Sequence, residues 1–245
     1  MRRHSSVLAL AARHTVGWAA LLLTVTALGE TALFWWALGS VGEGIPPALE
    51  QVLGQAHVPL VAAGTFLALC ALLGLSGCEL QGSRFGYTLR RLRVREEAAT
   101  LWFAGCNAVC LLALWGVQLA AALGCCALYR QAVAPDFVSR QTELLAFYRT
   151  GFLHSLLPMA EWSGYVRNVL LLLAMALSTA CLGYRQRRRR VSPLPVLAAA
   201  VVVLTFSQEM GRVNMDVVLS LGALGAIAME GLNLVRGWRG ELDED

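Results

Sequence analysis

The run VLLLLAMALSTACLGYRQRRRR, Val169 to Arg190, sets an uninterrupted apolar stretch against a block of arginines. A bilayer core of about 30 Å takes about 20 apolar residues of helix to cross. Lys and Arg are retained in the short loops on the cytoplasmic side. The stretch therefore predicts a membrane-spanning helix that ends at an inner surface, with RQRRRR as its stop and topology signal and anionic lipid contact as a by-product. The rest of the chain has the same character. Of its 245 residues 57% are hydrophobic and only 15% charged, and its mean hydropathy is +0.59. A soluble domain carries about a quarter of charged residues, so composition alone points to an all-α polytopic membrane protein. All basic residues are arginine, which supports no functional claim.

Working outward, six stretches read as spans: about 16–38, 58–77, 98–129, 163–184, 193–209 and 213–235. The fifth is the shortest. They form a single transmembrane domain over residues 1–245. With the N-terminus inside, Arg2, Arg3 and Arg13, the cluster Arg84 to Arg95, the cluster Arg185 to Arg190, and Arg236 with Arg239 all fall on the cytoplasmic side, 15 of the 20 basic residues. Six spans with both ends inside satisfy this distribution; five or seven would place a cluster on the wrong side. Residues 1–14 read as a short amphipathic helix on the inner surface, with Val7, Leu8, Leu10 and Ala11 on its apolar side. The start of the chain lacks an A-x-A cleavage pattern and reads as retained.

On the outer side, VGEGIPPALEQVLGQ reads as a Gly/Pro turn followed by a short helix. Residues 130–162 form the longest connection. Leu144, Leu145, Tyr148, Phe152 and Leu156 recur there at helical spacing, as in an interfacial or re-entrant helix. The C-terminal ELDED is a solvated acidic tail. The expected location is a cell membrane, multi-pass, of the bacterial cytoplasmic type.

The inner connection GSRFGYTLRRLRVREE, Gly82 to Glu97, carries more pattern than topology requires. Read as a helix over 84–96, it places Phe85, Leu89 and Leu92 on one face and Arg84, Thr88, Arg91 and Arg95 on a neighbouring one. Such a helix, too short to span, is a natural docking surface for a cytoplasmic partner. Gly86, Thr88, Leu89, Leu92 and Val94, followed by the third span, resemble the coupling helix of ABC-2-type permease subunits. The six-span topology and the N-terminal surface helix are similar to that family as well. The resemblance implies a permease subunit of an exporter, working as a homo- or heterodimer and driven by a separate cytoplasmic ATPase. Phe85, Gly86, Tyr87, Thr88, Leu89, Arg90, Arg91 and Leu92 would form the docking surface. It also implies alternating access, with movement of the docked helices rearranging spans one, two and five around a pathway.

No Walker A sequence is present, so ATP hydrolysis by a P-loop would have to reside in a partner. Catalytic residues, a metal set and a cofactor are not expected, nor is nucleic acid binding. His4, His14, His57 and His154 lie on separate connections, and Cys106 and Cys110, one helical turn apart, lack further ligands at metal-binding spacing. The seven cysteines read as free thiols packed as small hydrophobes. Within the spans Glu30 and Glu230 are the acidic candidates. An ionised carboxylate at that depth costs a few kcal/mol unless it faces protein or water, and Glu230 stands near enough the inner surface to reach headgroups or an arginine. Asn107, Gln118, Thr24, Thr26 and Asn233 are expected to bond between helices, and Gly64, Gly74, Gly105, Gly124, Gly222 and Gly225 to allow close packing. Two other readings compete with the permease: a gradient-driven transporter or channel using Glu30 as a proton or cation site, and a non-transporting membrane scaffold.

Overall fold

The computed structural model describes residues 2–39, 47–78, 94–134, 140–159, 161–190, 192–207 and 213–239. Every regular element among them is α-helix: α1 (Arg2–Gly39), α2 (Leu49–Gln55), α3 (Val58–Ser76), α4 (Glu96–Ala132), α5 (Arg140–Arg149), α6 (Gly151–Leu156), α7 (Trp162–Arg187), α8 (Leu194–Ser207) and α9 (Val213–Arg239). Five of these, α1, α3, α4, α7 and α9, are long and apolar enough to cross a membrane. Their outward faces carry Trp18, Val25, Leu28, Trp36, Leu60, Val109 and Leu221, all exposed. In water such faces would be strongly unfavourable, whereas hydrocarbon solvates them as well as a protein core does.

Helix directions follow from pairs of residues in contact. Arg167 near the start of α7 meets Asp216 near the start of α9, and Arg185 near the end of α7 meets Glu230 in the second half of α9. These two helices therefore run the same way, and the chain between them must return. The returning leg is α8. Its N-terminal flank, Ser192 and Pro193, lies with Arg185 and Glu230, and Thr205 near its far end accepts the Ser155 hydroxyl through its carbonyl at 3.4 Å. At 14 residues α8 is roughly 21 Å long, bounded by Pro193 on one side.

The first half of the bundle repeats the alternation. Thr26 on α1 and Thr65 on α3 share a hydrogen bond of 2.9 Å, and Gln118 of α4 reaches Glu30 of α1. Ala11 of α1 packs with Ala99 and Phe103 of α4 and Ala180 of α7 at the arginine-rich end, whereas Phe34 packs with Val58, Ala62 and Ala122 at the other. Thus α1 and α4 run together and α3 runs against them. Helix α7 lies at the centre, in contact with α3, α4, α8 and α9, and contributes Leu171, Leu172, Ala174 and Met175 to the main apolar core.

Three expectations change. Residues 1–14 are not a separate surface helix: α1 is continuous from Arg2 to Gly39. No proline interrupts it, the Thr15 hydroxyl is satisfied by the Ala11 carbonyl at 2.8 Å, and Ala11 is fully buried against α4 and α7. The proposed helix over 84–96 does not extend to its last residues. Val94 and Arg95 are non-helical, Arg95 is extended at φ −62°, ψ 140°, and Glu96 already opens α4. In the long outer connection a break at Thr150 separates α5 from α6 and divides the apolar stripe. Leu144, Leu145 and Tyr148 are exposed, while Phe152, Leu153 and Leu156 are buried. The outer piece expected after the Gly/Pro turn is present as α2. It is joined to α3 through His57, whose left-handed φ of 51° turns the chain, and Pro59 in the first turn of α3 has no N–H to leave unpaired.

The glycines expected to admit close packing do not. A Cβ added at Gly64, Gly105, Gly124, Gly222 or Gly225 would meet open space, and at Gly74 only an ordinary contact with Leu182. The close approaches occur elsewhere. A Cβ at Gly183 would overlap the Gly77 carbonyl where α7 meets the end of α3, and one at Gly237 would overlap the Tyr184 hydroxyl.

Candidate functional site

All eight residues proposed for partner docking, Phe85 to Leu92, lie outside the described residues. What is described is the framework to which that segment is joined. Arg95, the residue before α4, donates to the Trp238 carbonyl at 3.5 Å and lies 5.3 Å from the Trp238 ring centroid, which ties the start of α4 to the last turn of α9. The next two residues, Glu96 and Glu97, occupy the first turn of α4, where the helix N-terminus favours negative charge. Glu96 pairs with Arg187 at 3.6 Å and Glu97 with Arg188 at 3.3 Å. The Tyr184 hydroxyl donates to the same Glu97 oxygen at 3.3 Å, and the Arg188 guanidinium lies 4.6 Å over the Tyr184 ring.

Arg187 also donates to the Gly77 carbonyl at 2.9 Å, drawing in the end of α3. Beside this contact Cys78 is buried, and burial pushes its thiol pKa up, with Arg187 opposing the shift. The arginine-rich end is thus a polar network joining α3, α4, α7 and α9, in which Arg95 of one arginine cluster and Arg187 and Arg188 of the other take part. Its pairs are partly shielded from solvent, with Glu97 buried and Arg187 and Arg188 intermediate, so they hold more firmly than exposed pairs, which contribute about 0–1 kcal/mol.

The two acidic candidates within the spans are both buried at 1% exposure. Glu230 accepts from Arg185 at 2.7 Å. Its partner is an arginine on a neighbouring helix. Among the described residues no arginine pairs with Glu30; the Gln118 side-chain amide donates to it at 2.9 Å, while the second Glu30 oxygen and the Gln118 oxygen have no hydrogen-bond partner there. Gln118 also borders an apolar cavity of about 70 Å³ between α3, α4, α6, α7 and α8, lined by Phe66, Trp115, Phe152, Leu172 and Phe206. Glu30 itself does not line this cavity; Gln118 stands between the carboxyl and the cavity wall.

Among the other polar residues, Asn107 donates to Thr179 of α7 at 3.0 Å, and Thr26 bonds Thr65. Thr24 does not cross between helices: it is exposed and bonds the Ala20 carbonyl of its own turn. Asp216 pairs with Arg167 at 2.5 Å, with both side chains at most 3% exposed. Ser163 donates to the other Asp216 oxygen at 3.0 Å, Arg167 bonds the Asn168 oxygen, and the Asn168 amide donates to the Ser155 carbonyl at 2.7 Å. This clamp joins α6, α7 and α9 at the end opposite the arginine clusters. Arg167 falls within the span expected over 163–184, and its pairing with Asp216 was not foreseen from the sequence. The available signal was a lone arginine near the start of one span and a lone aspartate near the start of another.

All seven cysteines are free, and six of them are buried. No group of three or more His, Cys, Asp or Glu among the described residues is arranged to hold a metal ion. The fold and its polar framework define a polytopic helical membrane protein, with five long apolar helices and one shorter apolar leg. Comparison with protein-family models, curated proteins and solved structures finds no match for the chain.

Proposed function

We propose that the chain is the membrane-spanning subunit of an ABC-2-like exporter, crossing the bilayer six times with its arginine-rich end in the cytoplasm. A separate ATPase would dock on the segment 84–96, and a second permease subunit would complete the pathway. The supporting observation is the polar network at the arginine-rich end. Arg95 on Trp238, Glu96 on Arg187 and Glu97 on Arg188 tie the start of α4, which follows the docking segment in the chain, to α7 and α9, an arrangement suited to passing a push from that segment to three helices. Six crossings agree with the alternating legs, with α8 returning the chain between the parallel α7 and α9. The cytoplasmic placement of this end agrees with the positive-inside bias of its arginines.

A gradient-driven transporter is the second reading, favoured by a buried Glu30 whose hydrogen-bond partner Gln118 borders the apolar cavity. One experiment separates the two. Charge reversal at Arg90 and Arg91 is expected to reduce co-purification of an ABC ATPase by about tenfold or more, the loss of roughly 1.4 kcal/mol of binding, while Glu30→Gln leaves it unchanged. Undiminished co-purification would count against docking at this segment. Transport that persists without ATP and is abolished in Glu30→Gln would establish the second reading.

A further inference from the structure

The apolar cavity beside Gln118 has a wall that selects its occupant. Phe66 of α3, Leu111, Leu114 and Trp115 of α4, Leu172 of α7 and Val202 of α8 meet around about 70 Å³ of space. The Trp115 indole N–H is already given to the Leu156 carbonyl at 2.9 Å, and the Gln118 amide to Glu30. Among the described side chains of the wall, the polar atom left open is the Gln118 oxygen, which has no hydrogen-bond partner. A buried water needs about three polar partners, and apolar cavities that lack them stay dry. An empty apolar void forfeits the dispersion contacts of the atoms that line it. Hydrocarbon restores those contacts and asks for no hydrogen bond.

Access to the cavity is lateral. Helix α6 covers it with Phe152 and Leu156, both buried, and is held there by the Asn168 amide on the Ser155 carbonyl at 2.7 Å and the Ser155 hydroxyl on the Thr205 carbonyl at 3.4 Å. Besides Trp115, the partly exposed residues of the wall are Pro59 and Ala63 of α3 and Val203 and Phe206 of α8. Next to them Leu60 and Leu67 of α3 and Val201 and Leu204 of α8 are exposed. The mouth therefore lies between α3 and α8 and faces the apolar phase that solvates those side chains. Size narrows the choice further. Sites for drug-sized molecules run to about 300 Å³ and more, and a cavity that holds benzene measures about 150 Å³, roughly twice the space here. A ring is too large, whereas the end of a flexible hydrocarbon chain can enter while the remainder stays in the bilayer. We propose that this cavity seats the end of a bilayer lipid's acyl chain, inserted between α3 and α8. The seat depends neither on the permease reading nor on transport through Glu30.

The full chain, reconstituted in phosphatidylcholine vesicles that contain a phosphatidylcholine with a diazirine at the end of one acyl chain, tests the proposal by photolysis and peptide mass spectrometry. Leu111, Leu114 and Leu172 are at most 5% exposed and line the cavity, so a chain reaches them by entering it. Adducts are expected on these three leucines as well as on the exposed Leu60 and Leu204. Ala62→Leu, which fills the cavity from its wall, is expected to remove most of the adducts from the three buried leucines and to leave those on Leu60 and Leu204. Ala63→Leu, which narrows the mouth, serves as a second variant should the first fail to fold. Adducts confined to exposed residues in the unsubstituted chain, or adducts on the buried leucines undiminished in a folded variant, would overturn the proposal.

Discussion

Gly183→Ala is expected to destabilise the folded chain by about 1–3 kcal/mol, the range for forcing added volume into packed structure. Its Cβ would overlap the Gly77 carbonyl and stand 3.1 Å from the Cys78 backbone nitrogen. These are backbone atoms, which cannot rotate aside, so the end of α3 and the second half of α7 must separate. The separation also strains the Arg187 bond to the Gly77 carbonyl and, through Arg187, the contact with Glu96. Thermal unfolding in detergent should show Tm lower by roughly 3–10 °C. Gly64→Ala and Gly105→Ala provide the comparison. Each adds a methyl group to open space in a helix interior, where alanine is favoured over glycine by about 1 kcal/mol, so neither should lower Tm. An equal loss in all three variants would show that the α3–α7 contact is not the cause.

Arg167→Met is expected to cost more, about 3–5 kcal/mol, because it leaves the charge of Asp216 buried without its cation. Only the Ser163 hydroxyl would remain on that carboxylate, and the Asn168 oxygen would lose its two bonds from Arg167. The double variant Arg167→Met with Asp216→Leu removes both charges and should recover most of the loss, since apolar replacements of a buried pair are often neutral or stabilising. Unfolding of the two single variants and the double closes the cycle. Additive losses would mean that the pair is not coupled, contrary to its geometry.

The helices were legible in the sequence to different degrees, for physical reasons. Helices α3, α4, α7 and α9 coincide with long apolar runs because spanning demands length and apolarity, and both are written locally. The expected spans were a few residues short where helices continue past the hydrocarbon into arginine, as α7 does to Arg187 and α9 to Arg239. Helix α8, described over Leu194–Ser207, falls within the apolar run expected to span. The N-terminal piece was misread as a surface helix because Arg2, Arg3 and Arg13 mark a polar face, while the burial of Ala11 depends on α4 and α7, which lie far off in sequence. Polar partners were the least legible. Glu30 and Gln118 were each recognisable as costly groups in a span, but their meeting depends on α1 and α4 lying parallel. Arg167 with Asp216 and Arg185 with Glu230 depend likewise on the parallel arrangement of α7 and α9. Glycines give the same lesson: Gly64, Gly105, Gly124, Gly222 and Gly225 face open space, whereas Gly183, which admits a close backbone approach, stands beside the arginine block.

Docking of a cytoplasmic ATPase requires that the arginine-rich end face the cytoplasm and that α8 carry the chain across. Single cysteines at Gln141, Gln186 and Asn214, all exposed, report both through labelling of intact cells with a membrane-impermeant maleimide, the unsubstituted chain correcting for its native thiols. The expected result is labelling at Gln141→Cys and Asn214→Cys from outside, and at Gln186→Cys only after the membrane is opened. Labelling of Gln186→Cys in intact cells, or of Gln186→Cys and Asn214→Cys from the same side, would contradict the topology and the coupling built on it.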